Sequence, residues 1–254
     1  MRQMKVNLKI LSIQIVLTIL FFISWELFSD YKIIDPFFIS SPSKIADALL
    51  NWLKNGILLQ NLWITFSEAF AGLILGIILG VLFSLLLSYN KTLDKILQPF
   101  INMINALPRI AFAPLIVLWF GFGFLSKVII VISLVFFIIF FNTYQGIREI
   151  NPILIKNSKI LGASKRQIFY HIYIPSIMSW VFASLRLSVA YSVIAAIIGE
   201  YVGSSGGIGF LIDNAQSMFD ATGVMAGLIA LTIVVAIFDY LIRLLENKVL
   251  AWKN

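Results

Sequence analysis

The chain has 254 residues, of which 60% are hydrophobic and 12% charged, and its mean hydropathy is +0.97; that balance excludes a water-soluble domain of this length and predicts an integral membrane protein. With no cysteine and a single histidine, His171, disulfides, thiolate metal sites, a cysteine nucleophile and a histidine metal cluster are excluded, so no metal or cofactor is expected. The net charge of +7 has to be read by position, because in a membrane chain the placement of Lys and Arg sets topology.

A span needs about 20 apolar residues. The runs Leu8 to Phe28, Leu62 to Ser88, Pro99 to Phe120, Lys127 to Tyr144, Ser176 to Gly199 and Thr222 to Leu245 predict an all-α polytopic bundle of about six transmembrane helices. The first run is longer than a signal-peptide core and lacks a small-residue cleavage site, so it reads as a retained helix. The chain then divides into an N-terminal helix (1–30), an external segment (31–61) and a core (62–254) with a cytoplasmic loop over 145–175.

After the first span, Asp35-Pro36 marks a turn. Ile45, Ala48, Leu49, Trp52 and Leu53 fall on one helical face between Lys44 and Lys54, predicting a short helix at the outer membrane surface. In the second span Gly72, Gly76, Gly80, Ser84 and Ser88 recur every four residues, a small-residue stripe that permits close helix approach. A similar stripe, Ser184, Ser188, Ser192 and Ala196, runs up the fifth span to Glu200. In the third span Asn102, Asn105, Pro108, Arg109 and Pro114 interrupt the apolar run, and proline removes a backbone donor, so the helix should break between Leu107 and Pro114. Broken helices are tolerated where they face protein or a water-filled path, and a pathway wall or a kinked packing helix would each fit.

Between the fourth and fifth spans, Ile153, Leu154, Leu161, Ile168, Phe169 and Ile172 predict two short amphipathic helices bent at Gly162, with Pro175 ending the second and opening the next span. With the N-terminus inside, thirteen Lys and Arg lie on the cytoplasmic side (Arg2, Lys5, Lys9, Lys91, Lys95, Arg148, Lys156, Lys159, Lys165, Arg166, Arg243, Lys248, Lys253) against four outside (Lys32, Lys44, Lys54, Lys127). Both termini are therefore expected in the cytoplasm, and the basic surplus implies no nucleic-acid partner.

Ionised residues inside spans are costly, on the order of 3 kcal/mol at the centre by insertion scales, which singles out Glu68, Arg109, Arg186 and Glu200. For Glu68 and Glu200 two readings stand: they line an external gate, or they pair with a lysine or backbone donor and hold helices together. Arg186 is a charge for an anionic substrate, or it snorkels or pairs with a carboxylate. Asp239 and Arg243 read as a local ion pair. The segment Gly203-Ser204-Ser205-Gly206-Gly207-Ile208-Gly209 has no Lys-Ser or Lys-Thr after it, so it is an external turn and not a phosphate loop.

Gly162, nine residues, then Ile172-Tyr173-Ile174-Pro175 resembles the coupling loop of bacterial ABC importer permeases, written Glu-Ala-Ala, three residues, Gly, nine residues, Ile-x-Leu-Pro. The opening triad departs, with Lys156-Asn157-Ser158 in place of Glu-Ala-Ala. Pro42-Ser43, Leu107-Pro108, Pro114-Leu115, Leu118-Trp119-Phe120-Gly121, Arg186-Leu187-Ser188, Ile198-Gly199-Glu200-Tyr201 and Gly206-Gly207-Ile208-Gly209 resemble the nitrate, sulfonate and taurine branch, over about residues 40 to 252. The resemblance implies the MetI-like permease fold in a bacterial inner membrane, as a homodimer among lipids with two ATP-binding cassette subunits and an external solute-binding protein. It implies that Lys156, Asn157, Ser158, Leu161, Gly162, Ala163, Ile172 and Pro175 belong to the ATPase-coupling loop, and that the chain is not itself an enzyme. Its expected cargo is a small solute such as nitrate, an alkanesulfonate, taurine or a pyrimidine-type vitamin precursor. Asn102, Asn105, Arg109, Ser188, Tyr191 and Ser192 are candidate pathway residues, with Glu68, Arg186 and Glu200 as pathway or gate. The alternatives are an ion-coupled secondary transporter using Glu68 and Glu200, and a membrane scaffold or sensor with no substrate path.

Overall fold

A computed structural model describes residues 8–33 and 37–249. Arg2, Lys5, Lys253 and the turn at Asp35-Pro36 lie outside the described residues, as do the side chains of Lys9, Lys91, Asp239, Arg243 and Lys248.

Eleven α-helices account for the described chain: α1 Leu8–Asp30, α2 Pro42–Lys54, α3 Ile57–Tyr89, α4 Lys91–Ala106, α5 Ala113–Phe120, α6 Phe124–Arg148, α7 Pro152–Ile160, α8 Lys165–Ile168, α9 Ile174–Val202, α10 Ile208–Ser217 and α11 Ala221–Val249. Five segments are long and apolar enough to cross a membrane, Ile10–Asp30, Ile57–Tyr89, Phe124–Arg148, Lys165–Val202 and Ala221–Phe238, and a sixth is the bent pair α4 and α5. The expected count of about six holds. The described residues fall into two compact units, one of residues up to 60 with 211–231, the other of 61–210 with those from 232 on.

In the first unit α2 begins at Pro42, whose missing N–H is no loss in a first helical turn. Ser41 makes no side-chain cap. Instead Glu26 of α1 accepts from the Ser43 N–H at 3.0 Å and from its hydroxyl at 2.5 Å, placing a carboxylate at the positive helix end. The expected apolar face is present for Ile45, which is buried, and for the half-buried Ala48, Leu49 and Trp52; Leu53 departs from it and is exposed.

The second unit packs on α6. Ala69, Leu73, Val131, Val135, Ile139, Val189, Val193 and Ala196 form its core. The glycine stripe is a seam: a methyl group at Gly76 would lie 2.7 Å from Val135 Cγ1, and one at Gly80 would lie 2.9 Å from the Phe136 carbonyl oxygen. The α3 and α6 backbones therefore come close only because those side chains are absent. Ser184, Ser188 and Ser192 of α9 are buried in the same unit.

The third span breaks where proline requires it. The chain turns by 80° between α4 and α5 through a 3₁₀ turn, Arg109–Phe112. Leu107, preceding Pro108, takes an extended conformation with ψ 139°, as a pre-proline residue must, and Pro114 falls in the first turn of α5. The start differs from expectation. The helix begins at Lys91 and not at Pro99, because Asn90 caps it by accepting from the Thr92 and Leu93 N–H groups at 3.1 Å. Pro99 then lies inside α4.

The start of α4 is tied to the end of α6. The Tyr144 hydroxyl donates to Asp94 Oδ1 at 2.5 Å and accepts from Arg148 Nη1 at 3.1 Å. Tyr144→Phe removes a bond to a charged acceptor and is expected to lower stability by about 1.5–3 kcal/mol. Thermal unfolding of the detergent-solubilised chain measures it, and an unchanged melting curve would show the bond to be idle.

Candidate functional site

Chain direction puts two functional regions at opposite ends of the bundle. The first turns of α3 and α6 meet the last turn of α9 at one end. The segment joining α6 to α9 forms the other.

At the first end Asn61, Thr65 and Glu68 project from α3, Lys127 from α6 and Glu200 from α9. All are buried, and Lys127 is fully so. Glu200 Oε1 accepts from the Thr65 hydroxyl at 2.6 Å, and its Oε2 accepts from the Gly209 N–H at 2.6 Å. Thr65 Oγ1 accepts from the Ile208 N–H at 2.8 Å, and Asn61 Oδ1 from the Gly207 N–H at 2.7 Å. Lys127 Nζ donates to the carbonyl oxygen of Gly203 at 2.6 Å and to that of Phe122. Four backbone groups of the 203–209 reversal, the Gly203 carbonyl and the Gly207, Ile208 and Gly209 N–H groups, which would be unsatisfied in an apolar bundle, are thus met by side chains from three helices. Gly207 has φ +105°, and a Cβ there would run into the Glu200 carboxyl group, so glycine is required on both counts.

Sequence reading missed three members of this cluster. Lys127 was counted among the external lysines, yet it lies in the first turn of α6 beneath the reversal; a lysine followed immediately by an apolar run was the available signal. Asn61 and Thr65 sit two turns and one turn before Glu68 on the same helical face, a spacing that was legible. The helix α10 was also missed, since Ile208 to Ser217 is too short and too polar to register as a span.

Asn105 and Arg109 come together at the broken span. Arg109 Nη2 donates to the Asn105 carbonyl oxygen at 3.2 Å and to its Oδ1, and the guanidinium lies 4.1 Å from the centre of the Phe137 ring. Arg109 Nε is buried without a hydrogen-bond partner. Asn102, Arg186 and Tyr191 are exposed. Ser188 and Ser192 are instead buried; Ser192 Oγ donates to the Val189 carbonyl oxygen at 2.8 Å, so in this conformation the serine stripe packs within the bundle and faces no open surface.

At the opposite end the two helices expected around Gly162 are α7 and α8. Gly162 has φ +85°. Its N–H donates to the Lys159 carbonyl oxygen at 3.0 Å and the Ala163 N–H to that of Ser158 at 2.9 Å, a Schellman ending for α7. Ser164 and Gln167 then form a capping box that starts α8, a Ser-x-x-Gln signal present in the sequence. Ile160 and Leu161 stand out at the tip, 83% and 86% exposed. Lys156 and Asn157 are exposed; Ser158, Ala163, Ile172 and Pro175 are half-buried. One expectation is corrected. Pro175 does not stop the second helix, because a π-helical turn, Phe169–Tyr173, carries α8 into α9 as one 38-residue helix, Lys165–Val202. The wider turn accommodates the donor that Pro175 lacks.

A family model described as binding-protein-dependent transport system inner membrane component matches residues 72–251. The chain is 33% identical to the formylaminopyrimidine transport permease protein ThiX of Halalkalibacterium halodurans, over 91% of each chain. It is 36% identical to the riboflavin transport system permease protein RibX of Chloroflexus aurantiacus, over 85% of this chain and 81% of RibX. The taurine transport system permease protein TauC of Escherichia coli is 23% identical over 98% of this chain and 90% of its own. Among solved structures, the inward-facing MetNI methionine ABC transporter superposes with a TM-score of 0.60 at 21% identity, covering 81% of this chain and 98% of that one.

Proposed function

The chain belongs to the family of binding-protein-dependent transport system inner membrane components, and from that premise we propose which solute it carries and how its two ends act. It is a multi-pass inner-membrane permease subunit of an ABC importer for small solutes, and it is not itself catalytic. The identity of 33% to the formylaminopyrimidine permease ThiX, against 30% to the aliphatic sulfonates permease SsuC of Escherichia coli, narrowly favours a pyrimidine-type vitamin precursor. A second reading, an organic anion such as a sulfonate or taurine, is supported by Arg109, whose guanidinium sits at the broken span with Nε unpartnered.

Two copies enclose the path, served by two ATPase subunits and an external binding protein. Both termini lie in the cytoplasm, from the distribution of Lys and Arg, which puts the 203–209 reversal outside and the Gly162 loop inside. ATP binding closes the ATPases, the loop transmits the motion, and α3 to α11 re-pack so that the path opens outward. Asn102, Asn105, Arg109, Arg186 and Tyr191 supply polar groups to it. The 62–254 core carries out this cycle, while Glu68 and Glu200 close its outer end.

The observation that carries the loop assignment is the exposed apolar tip at Ile160 and Leu161, held by a glycine in the left-handed region. Losing an apolar hot-spot contact costs about 2 kcal/mol or more, so Leu161→Asp is expected to weaken ATPase association about thirtyfold while leaving the melting temperature unchanged. Co-reconstitution in liposomes with the ATPase and the loaded binding protein tests it. Undiminished ATP hydrolysis in the variant would remove the coupling role, and uptake competed by pyrimidines or by sulfonates separates the two cargo readings.

A further inference from the structure

A cavity of about 770 Å³ lies where α3 and α6 end beside the loop joining α6 to α9. Its walls include Leu86 and Tyr89 from the last turn of α3, Ile147 from the end of α6, and Phe169 and Tyr173 from the π-helical turn. Three spans thus end or begin around it. That sets it at the level of a membrane surface, where tyrosine is favoured for its apolar ring and polar tip. The exposed tip at Ile160 and Leu161 takes no part in the lining.

Two lysines belong to the same lining, Lys159 of α7 and Lys165 of α8, one from each side of the bend at Gly162. No Asp or Glu among the described residues lines it. The carboxylates on the adjoining elements are engaged elsewhere: Asp94 of α4 accepts from the Tyr144 hydroxyl, and Glu149 accepts from Gln145 Nε2 at 3.1 Å. The cavity therefore joins apolar walls to positive charge at the end of a helix bundle, the combination that takes an anionic lipid headgroup. A track for the acyl part leads out of it. Leu75, Leu79, Leu82 and Leu86 recur at three- and four-residue spacing on one face of α3, and all four are exposed, so an apolar stripe runs from the cavity along the span.

From this combination we propose that the cavity binds one anionic phospholipid, with its phosphate between Lys159 and Lys165 and an acyl chain along the leucine stripe of α3. A free phosphate would satisfy the lysines and leave the leucine track empty. A zwitterionic lipid would fill the track and bring no net charge to the lysines. The bound phosphate joins α7 to α8 from the cavity side, so the lipid braces the Gly162 bend against α3. Binding at this site requires neither the cargo nor the ATPase partner.

The test is a titration of the purified full chain in non-ionic detergent with phosphatidylglycerol or phosphatidylcholine of matched acyl chains, the bound lipid being counted by native mass spectrometry. Phosphatidylglycerol is expected to bind the more tightly. Lys159→Gln combined with Lys165→Gln should weaken it about thirtyfold, from two lysine contacts to an anionic headgroup, and leave phosphatidylcholine binding unchanged. Lys156→Gln combined with Arg166→Gln removes the same charge from the same loop at positions outside the lining, and should keep the native affinity. Equal affinity of the native chain for both lipids overturns the proposal, as does native affinity in the Lys159 and Lys165 double variant. So does an equal loss in the Lys156 and Arg166 double variant. Displacement of phosphatidylglycerol by millimolar inorganic phosphate would mark a site for a free anion and overturn the lipid assignment.

Discussion

A chain carrying Glu200→Ala is expected to lose about 3–5 kcal/mol of stability, the usual cost of removing one partner from a buried charged network. The Gly209 N–H is stranded without its acceptor at 2.6 Å, the Thr65 hydroxyl loses its 2.6 Å bond and keeps only the Asn61 carbonyl oxygen at 3.2 Å, and the buried Lys127 loses a neighbouring acidic group. Each buried donor left unsatisfied costs about 1–3 kcal/mol, and lipid offers no water to replace the lost acceptor. Glu200→Gln keeps one acceptor oxygen and should fall between the two. Thermal unfolding in detergent, followed alongside proteolysis of the 203–209 reversal, measures the loss; identical curves for the alanine variant and the native chain would refute the network.

The second large effect is steric. Gly76→Leu drives a side chain into Val135, where even a methyl group would lie 2.7 Å from Cγ1. Overpacking a close-packed interior costs about 1–3 kcal/mol, and here the obstacle is a β-branched residue on a neighbouring helix that has few rotamers to yield. The variant is expected to melt well below the native chain, with α3 displaced from α6. Gly123→Ala is the control, since a Cβ at Gly123 meets nothing within 4 Å, and it should melt as the native chain does. Equal melting of all three would mean that the glycine stripe is not a seam.

Much of the fold was legible because the bilayer imposes a simple rule. Apolar runs of about 20 residues become helices, since no other local structure satisfies their backbone groups in hydrocarbon. Prolines at 108 and 114 located the break because their effect on the backbone is local. The bend at Gly162 was legible for the same reason. What hydropathy could not register were polar or amphipathic stretches that become helical through caps and neighbours, such as Lys91–Gln98 and Ile208–Ser217.

The sequence by itself determined the membrane class, the number and order of the spans, the break in the third, and the loop whose motif resembles the permease family, because each follows from composition or from the conformational limits of single residues. Tertiary structure decided which polar groups meet. Asn61, Thr65 and Glu68 from one helix, Lys127 from a second and Glu200 from a third are up to 139 residues apart in the chain, and their union depends on the relative rotation of packed helices. No local rule contains that rotation. It is set by the glycine and serine stripes that let the helices approach, and by the need of the buried Gly207, Ile208 and Gly209 N–H groups for acceptors.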